Sequence, residues 1–580
     1  MIQTIDEQIN KFLASLPDIN DDQISQIKDR CATTVTDDLK KGHATSNVCM
    51  IAASVLKKNP KELATELASI LERSCKYESV DSAGPGFINI TLKREDFVSM
   101  VNHINKNPKD FGKSSMGTNK SIQIEFVSAN PTGPLHVGHG RGAAYGDAIG
   151  RILSASGYLV EKEYYINDAG RQIDILTASV YIRIYQEIFK DFFPKNAYKG
   201  SYIEDIAVDF KKINGITSIE DISLYINNLP DDDEKEIDEL IARIKSLDSQ
   251  WSNIKDFALT YVLGSIKEDL ELFNVGFDHW FYESSLGEVA DKSSKIALAI
   301  DALTLKKLAF KEKGAIWLDT SESGDDKNRV LIREDGRPTY FASDVAYHKD
   351  KIDRGFDKLI NVWGADHHGY IKRIEASIDG LGFNKDKLNV QLVQFANLFR
   401  DGKKVKMSTR SGEFYTLADL VNEIGKDAAR FYYLSKQADQ HLDFDIDLAK
   451  ADNKENIFYY IQYAHARICS LQEKYLEING ALPTSAEQIE TNNYIKCDDM
   501  IHEVSKFPGI VQRSANSLQP HLIIYYLKDF AQSFHSFYND NHILSDTKEN
   551  AQSIIFCLNA SKQVLANGLR LLGIKPIQKM

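Results

Sequence analysis

The fold is decided by one stretch of the sequence, Glu125-Phe-Val-Ser-Ala-Asn-Pro-Thr-Gly-Pro-Leu-His-Val-Gly-His-Gly-Arg141. Apolar and polar residues alternate over 122–126, which predicts a strand with one polar face. Beyond Gly138, small and aliphatic residues recur at helical spacing as far as Leu153, and residues 158–166 have the pattern of a second strand. Strand, helix and strand in this order predict the start of a parallel α/β sheet.

The helix start within this stretch has the composition of an anion site. The free N–H groups and the dipole of a helix N-terminus attract phosphate. Gly138 and Gly140 have no side chain that would block a phosphate, and His136 and His139 lie on one side of the first turn. We therefore interpret these four residues as candidate phosphate-binding residues.

Three other interpretations of the same residues stay open here. The two histidines have a metal-ligand spacing, but no third ligand of suitable spacing lies nearby, so we expect no bound metal. The pattern Gly138-x-Gly140-x-x-Ala143 matches a dinucleotide-binding fingerprint, although that fingerprint needs its first glycine directly after the strand. The third alternative is a glycine-rich helix start that binds no ligand.

A second candidate phosphate-binding segment is Arg400-Asp-Gly-Lys-Lys-Val-Lys-Met-Ser-Thr-Arg-Ser-Gly412. Its Asp-Gly dipeptide is typical of a hairpin turn. The loop after the turn carries enough positive charge to bind a triphosphate, on Lys403, Lys404, Lys406 and Arg410, together with Ser408. A solvated surface loop has the same composition, so this segment alone decides little.

The composition indicates a large globular protein. Its 580 residues correspond to roughly three or four domains, and 43% hydrophobic with 26% charged residues excludes a disordered or fibrous chain. No apolar run has the length of a membrane span, the six cysteines form no CxxC pair, and polar residues follow Met1. We therefore expect a cytoplasmic protein without membrane contact or structural zinc. Its net charge of −13 argues at first against a nucleic-acid partner.

The patterning predicts three domains. Residues 1–112 form a small α+β domain, with helical spacing followed by a strand at 87–92. Residues 113–415 form an α/β domain around a parallel sheet, with a charged helical insertion at about 178–275 and further strands near Val330, Leu359 and Val390. Residues 416–580 are predicted to be all-α.

Together, the two candidate segments resemble the HIGH and KMSKS signatures of class I aminoacyl-tRNA synthetases. His136-Val-Gly-His139 and Lys406-Met-Ser-Thr-Arg410 occur in the right order at opposite ends of one α/β region. Four longer segments resemble sequences of the arginyl-tRNA synthetase family, and the resemblance spans essentially the whole chain. They are Ser128 to Arg141, Tyr165-Ile-Asn-Asp-Ala-Gly-Arg-Gln, Trp363-Gly-Ala-Asp-His-His-Gly-Tyr and Tyr460-Ile-Gln-Tyr-Ala-His-Ala-Arg.

The resemblance implies a Rossmann-type catalytic domain between an N-terminal domain that binds the tRNA elbow and a C-terminal bundle that binds the anticodon. It also implies a two-step ligase. Arginine and ATP, as its Mg²⁺ complex, would give arginyl-adenylate and pyrophosphate, and the arginyl group would then pass to the 3′ end of the tRNA for arginine. The acidic net charge is compatible with this because it says little about any one face. By resemblance, the protein is expected to be a monomer.

The resemblance also assigns the ATP site. His136, His139 and Lys406 would be the catalytic groups, and the residues contacting ATP would be His136, Gly138, His139, Lys406, Met407, Ser408 and Arg410. Thr409 stands where the signature has its second lysine, so Arg410, Lys403 or Lys404 would have to supply that charge.

The arginine site is implied in the same way. Glu125 and Asp344 match positions that hold the guanidinium, a planar cation with five donors, and Tyr340 would lie beside them. Asn130 and His367 match positions at the amino-acid end of the substrate. From the residues alone, Asp344 is also compatible with a helix N-cap and Tyr340 with core packing.

For tRNA, the implied contacts are Tyr460 and Tyr463, which would stack on bases, with Met580 nearby and with Phe87 and Asn89 at the elbow. A helix–helix interface would explain the two tyrosines equally well. Two other functions stay open at this level. A stand-alone HxGH nucleotidylyltransferase would leave the helical C-terminal third without a role, and a non-catalytic tRNA-binding paralogue would be expected to have lost one signature.

Overall fold

The computed structural model describes residues 2–17, 19–36, 38–74, 76–214, 219, 221–320, 327–405, 415–484 and 497–580. No helix in these parts of the chain is long and apolar enough to cross a membrane.

The N-terminal part combines helices with a small antiparallel sheet, as predicted. Its elements are α1 (Ile2–Ser15), α2 (Asp21–Arg30), β1 (Thr33–Val35), β2 (Ala44–Ser46), α3 (Val48–Leu56), α4 (Pro60–Arg73), β3 (Tyr77–Ala83), β4 (Phe87–Leu92) and α5 (Arg94–Lys106). The strand order is β1-β2-β4-β3. Ile88 and Ile90 of β4 are buried in the core of this part, so its alternating residues lie on the other face.

The central part begins with β5 (Ser121–Glu125), α6 (Val137–Ala155) and β6 (Leu159–Ile166), which confirms the predicted strand–helix–strand unit. Six helices then precede the next strand: α7 (Arg171–Ile184), α8 (Gln186–Phe189), α9 (Ser201–Asn214), α10 (Ser223–Ile226), α11 (Asp233–Leu247) and α12 (Trp251–Leu272). The chain continues through β7 (His279–Tyr282), α13 (Lys295–Leu305), β8 (Ala309–Glu312), β9 (Ala315–Leu318), β10 (Arg329–Ile332), α14 (Tyr340–Asp353), β11 (Lys358–Gly364), α15 (Ile371–Leu381), β12 (Leu388–Val393), β13 (Ala396–Arg400) and β14 (Lys403–Lys404).

A five-stranded parallel sheet organises this part, in the order β12-β11-β5-β6-β7. The parallel sheet predicted from the sequence is therefore confirmed. The strand predicted near Val330 also forms, but it belongs to a separate antiparallel sheet, β10-β9-β8. Because β5 lies in the middle of the parallel sheet, the turn that follows it opens at the carboxyl edge, where α/β proteins bind ligands.

The C-terminal part is mainly helical. Its elements are α16 (Leu417–Ile424), α17 (Lys426–Tyr433), β15 (Leu442–Asp445), α18 (Ile446–Lys450), α19 (Ile457–Asn479), α20 (Asp498–Ser517), α21 (His521–Asp540) and α22 (Lys548–Leu571). The short strand β15 departs from the all-α prediction, since it pairs in parallel with β13. It forms because Leu442 and Phe444 are buried while Asp443 and Asp445 are exposed, which is the period of a strand.

A buried ion pair joins the central and C-terminal parts. Arg430 of α17 donates to Asp147 of α6 over 2.5 Å, and neither side chain is exposed to solvent. Arg430 also donates to the carbonyl oxygens of Phe273, Asn274 and Leu572, so one guanidinium connects α6 to the ends of α12 and α22. This places the C-terminal helices against α6, the helix whose N-cap is His136.

Candidate active site

The turn after β5 is strained. Val127 and Ser128 both have positive φ values, 66° and 40°, a region that a β-branched residue such as valine rarely adopts. The Ser128 hydroxyl compensates locally, because it donates to Glu125 and accepts from the backbone N–H of Tyr165. The bend directs the chain away from the sheet before α6 begins, and strain of this kind clusters at functional sites.

The two signature histidines form a stacked pair at the start of α6. Their ring centroids lie 3.7 Å apart with an interplanar angle of 20°. Nδ1 of His136 accepts from the N–H of Gly138 over 3.0 Å, and Nδ1 of His139 accepts from the N–H of His136 over 3.3 Å. Since an accepting Nδ1 carries no proton, each neutral ring has its N–H at Nε2. The pair is therefore set to donate two hydrogen bonds from Nε2.

Burial keeps both rings neutral. It lowers the pKa of His136, and burial together with the proximity of His136 lowers the pKa of His139 to about 3. These histidines can thus bind phosphate oxygens as hydrogen-bond donors without carrying a full charge.

The backbone N–H groups at the start of α6 are not free to bind an anion, contrary to the sequence-based interpretation. The N–H groups at the helix start already have partners: that of Val137 donates to Tyr415, that of Gly138 to His136, and that of His139 to the His136 carbonyl. The physical reason is a histidine capping box, which satisfies the first turn from within the chain. Gly138 instead leaves room for the His136 ring, because a Cβ at Gly138 would lie 2.7 Å from that ring.

The dinucleotide-binding alternative does not fit. Gly138 and Gly140 lie inside α6, whereas β5 ends at Glu125, so neither glycine forms a tight turn directly after the strand. Among the described residues, the cluster with metal-ligand geometry is Glu161, Glu163 and His279 rather than the two histidines. Arg354 already donates to Glu161 and to both oxygens of Glu163 within that cluster, which makes it an ion-pair network.

The second signature segment follows a hairpin. Strands β13 and β14 pair in antiparallel orientation, and Asp401 and Gly402 between them have φ values of 49° and 69°. Two positive φ values are typical of a type I′ turn, so the Asp-Gly turn predicted from the sequence is confirmed. Lys403 and Lys404 are exposed on β14. Lys406, Met407, Ser408 and Arg410 lie outside the described residues.

Asp344 lies on the first turns of α14, opposite the turn after β5. The N-cap of this helix is Thr339, which excludes the capping role for Asp344. The Tyr370 hydroxyl donates to the Asp344 carboxylate. Burial, and then the nearby charges of Glu125 and Glu283, raise the pKa of Asp344 to about 7. Tyr340 is 60% exposed, so it is not a core residue.

Glu125 is already paired. Nζ of Lys351, which is fully buried, donates to Glu125 over 2.5 Å, and Ser128 donates to its other carboxylate oxygen. Glu125 is itself only 7% exposed. The structure therefore brings Glu125 and Asp344 to one pocket. Glu125 has a lysine as its direct partner, whereas the direct partner of Asp344 is the neutral hydroxyl of Tyr370.

Glu283, which sequence reasoning missed, is a third carboxylate in this pocket. Ser343 and Tyr165 hydrogen-bond to it, and burial raises its pKa. Its charge is also among the causes that raise the pKa of Asp344. The signal was present, because Glu283 directly follows β7 and so lies at the carboxyl edge of the parallel sheet. Several carboxylates around one pocket are suited to a guanidinium.

The other predicted small-molecule residues lie at the same edge. Asn130 is exposed in the turn after β5, and His367 is exposed after β11, with its ring 6.4 Å from that of Trp363. Phe395 was missed: it is 48% exposed, and its ring would lie within 3.8 Å of a Cβ on Gly138 and within 3.6 Å of one on Gly364. An exposed aromatic ring beside the signature histidines is suited to stack on a nucleobase.

Comparison with known proteins shows the family. Family models match the chain as the arginyl tRNA synthetase N-terminal domain over 2–92, the catalytic domain of class I tRNA synthetases (R) over 101–477 and a DALR anticodon binding domain over 461–580. The arginine–tRNA ligase of Nitrosomonas europaea is 42% identical over 551 residues, which cover 93% of each protein. The chain belongs to the arginyl-tRNA synthetase family.

Further members of the family match over similar lengths. The arginine–tRNA ligase of Nitrosospira multiformis is 44% identical over 545 residues, again covering 93% of each protein. The solved structure of the Thermus thermophilus arginyl-tRNA synthetase has a TM-score of 0.74 and covers all of both chains at 20% identity, so it supports the fold.

The residues predicted to contact tRNA in this arginyl-tRNA synthetase family member lie on two separate surfaces. Tyr463 of α19 is 37% exposed and stacks on His535, with ring centroids 5.4 Å apart, whereas Tyr460 is half-buried against the same His535. Packing within a helix–helix interface therefore explains Tyr460 better than it explains the more exposed Tyr463. Arg467, which was missed, places its guanidinium 5.4 Å from the Tyr463 ring centroid. Met580 is 54% exposed.

The elbow candidates lie on β4. Phe87 and Asn89 are half-buried on the face opposite the buried Ile88 and Ile90. The side-chain oxygen of Asn89 accepts from the Thr45 hydroxyl over 3.0 Å, so part of its hydrogen-bonding capacity is used within the sheet.

Proposed function

We propose that this chain activates L-arginine with ATP to arginyl-adenylate and pyrophosphate, and then transfers the arginyl group to the 3′ end of the tRNA for arginine. Membership of the family makes it a ligase that forms aminoacyl-tRNA with ATP. The observation that carries the assignment to arginine is the pocket in which Asp344, Glu125 and Glu283 converge at the carboxyl edge of the sheet.

Each group has a defined task in the first step, in which the arginine carboxylate attacks the α-phosphorus. Glu125 and Asp344, with Glu283 beside them, bind the guanidinium, and Tyr340 closes the exposed side. Nε2–H of His136 and of His139 donate to phosphate oxygens, and Lys406 with its neighbours neutralises the leaving pyrophosphate, whose Mg²⁺ enters with ATP. Such a step depends on positioning and charge neutralisation rather than on a protein nucleophile.

We assign tRNA binding to the two terminal parts. Tyr463, with the nearby cation of Arg467, provides a surface on which anticodon bases can stack, and Phe87 and Asn89 face the elbow. The protein acts as a monomer in the cytoplasm.

The deciding experiment is charging of total tRNA with radiolabelled amino acids, with and without ATP. ATP-dependent charging with arginine, and not with lysine or glutamate, is the expected result. Equal charging with lysine, or none with arginine, would contradict the proposal. Retained tRNA binding without charging would instead favour a non-catalytic paralogue.

A further inference from the structure

Helix α14 carries a second set of polar groups below the arginine pocket. Tyr340 and Asp344 lie at its open end, and Tyr347, His348 and Lys351 follow at helical spacing towards the sheet. All three of the latter are essentially buried, with exposures of 2%, 2% and 0%. A fully buried lysine is unusual and needs partners.

Lys351 has two such partners on different strands. Its Nζ donates to Glu125 at the end of β5 over 2.5 Å and to the side-chain oxygen of Asn361 on β11 over 2.9 Å. Nζ also lies 4.2 Å from the ring centroid of Tyr347. The lysine therefore connects α14 to the central strand of the parallel sheet and to its neighbour β11.

The hydrogen bonds continue from Asn361 back to the arginine pocket. The amide nitrogen of Asn361 donates to Nε2 of His348 over 2.7 Å, and Nδ1–H of His348 donates to the Asp344 carbonyl over 2.8 Å. Burial lowers the pKa of His348 to about 3, which keeps the ring neutral and able to accept at one nitrogen while donating at the other. An unbroken chain thus runs from the Glu125 carboxylate to the Asp344 backbone.

We propose that Lys351 is a positioning residue for arginine recognition, which fixes Glu125 and the Asp344 backbone in register and places a positive charge beside the pocket carboxylates. It does not touch the substrate. This inference rests on the proposed function, because it assigns a purpose to Lys351 only if the pocket binds arginine.

The charges that surround this lysine support an electrostatic role. Asp344 faces Glu125 on β5, Tyr165 on β6, Glu283 after β7, Tyr370 before α15, and Lys351 on its own helix. Lys351 itself also faces Glu163 on β6, besides Glu125, Asn361, Tyr347 and His348. Within this set, Lys351 is the cation that offsets the carboxylates around Asp344. Its removal should therefore make ionisation of Asp344 harder.

The test compares Lys351→Gln, which removes the charge but retains hydrogen-bonding groups, with Lys351→Arg, which retains the charge. Charging of tRNA is measured against arginine, ATP and pH. For Lys351→Gln, we expect kcat/KM for arginine to fall about 30-fold with the ATP KM within about threefold, and the pH midpoint for arginine to rise by about one pH unit. For Lys351→Arg, we expect a wild-type pH midpoint and an arginine KM raised about threefold or more, because its planar fork does not match the lysine geometry.

A matched control is Lys162→Gln. Lys162 also pairs with a buried carboxylate, that of Asp147 over 2.6 Å, but it does not contact the arginine pocket. This variant should leave the pH midpoint for arginine unchanged even if it lowers thermal stability.

Each outcome decides the inference. An unchanged arginine KM and pH midpoint in Lys351→Gln would overturn it, as would equal losses for arginine and ATP with an unmoved midpoint. If Lys351→Gln does not fold, an unchanged arginine KM in Lys351→Arg has the same consequence. Failure of the unaltered chain to charge tRNA with arginine would contradict the proposed function itself, which separates the two failures.

Discussion

At the scale of single residues, the ionisation of Asp344 is the most consequential property. A carboxylate binds a guanidinium well only when it is ionised, and burial raises the pKa of Asp344 to about 7. Arginine stays protonated at any physiological pH, so its binding competes only with protons on the pocket carboxylates, of which Asp344 has a pKa of about 7. The pocket is therefore most receptive above neutral pH.

This predicts a specific pH dependence. Below pH 7, kcat/KM for arginine should fall by about tenfold per pH unit, and above pH 7 it should level off. The Asp344→Asn variant should lose this dependence and raise the arginine KM by about 10- to 100-fold, while the ATP KM changes little. Steady-state charging between about pH 5.5 and 8.5, a range that spans the titration of Asp344, measures the pH dependence and the arginine KM of both proteins. A flat profile in the unaltered protein would refute the role of Asp344.

The histidine pair should behave differently. Because the pKa of His139 lies near 3, its imidazole is neutral throughout the working range and adds no ionisation to the pH profile. Loss of its Nε2 donor in His139→Phe should lower kcat by about 10²–10³-fold with little change in the arginine KM. ATP–pyrophosphate exchange in the presence of tRNA is the suitable measurement. A change limited to the arginine KM would contradict the assignment of this residue to ATP.

At the scale of elements, the Asp401-Gly402 turn joins β13 to β14 just before the second signature in the sequence. Gly402 has a φ of 69° and open space around its missing Cβ, so alanine there meets backbone strain alone. Gly402→Ala should cost about 1 kcal/mol in the hairpin and raise the ATP KM about fivefold. Gly264→Ala is the matched control, since it also has open space but no positive φ. Equal ATP KM values for both variants would show that the turn geometry does not matter.

At the scale of the whole molecule, Arg430 and Asp147 hold the C-terminal helices against α6. Asp147 keeps its ion pairs with Lys162 and Arg151 when Arg430 is removed, but it loses its fully buried partner. The carbonyl oxygens of Phe273, Asn274 and Leu572 lose their donor as well, so Arg430→Met should destabilise the fold by about 3–5 kcal/mol. Thermal unfolding followed by circular dichroism checks this. Arg171→Met, at an exposed pair with Glu234 and Asp238, should change stability by about 1 kcal/mol or less. Similar losses of stability in both variants would contradict the conclusion that Arg430 holds the C-terminal helices against α6.

The same pair has a pH signature. Burial alone would raise the pKa of Asp147, but Arg430, Lys162 and Arg151 outweigh it and lower that pKa to about 2. A depressed carboxyl pKa contributes stability above the unfolded value of about 4, and this contribution is lost as the pH falls towards 2. Acid unfolding of the unaltered protein should therefore be steeper between these values than that of Arg430→Met.

Much of the architecture could be predicted from local patterns. Strands β4 and β5 follow alternating residues, and the Asp401-Gly402 turn follows from its dipeptide. These features depend on near neighbours in the chain. Strand β15 was missed because its pairing with β13 is a long-range contact.

The order of elements, the two signatures and the family could be deduced from contiguous stretches of the sequence. Which polar groups meet depends instead on the three-dimensional fold. Glu125 and Lys351 are 226 residues apart, and Glu283 joins Asp344 from another strand end. Burial and electrostatic coupling act through space, so the pairing of Glu125, the raised pKa of Asp344 and the neutral histidines could not be deduced from spacing along the chain.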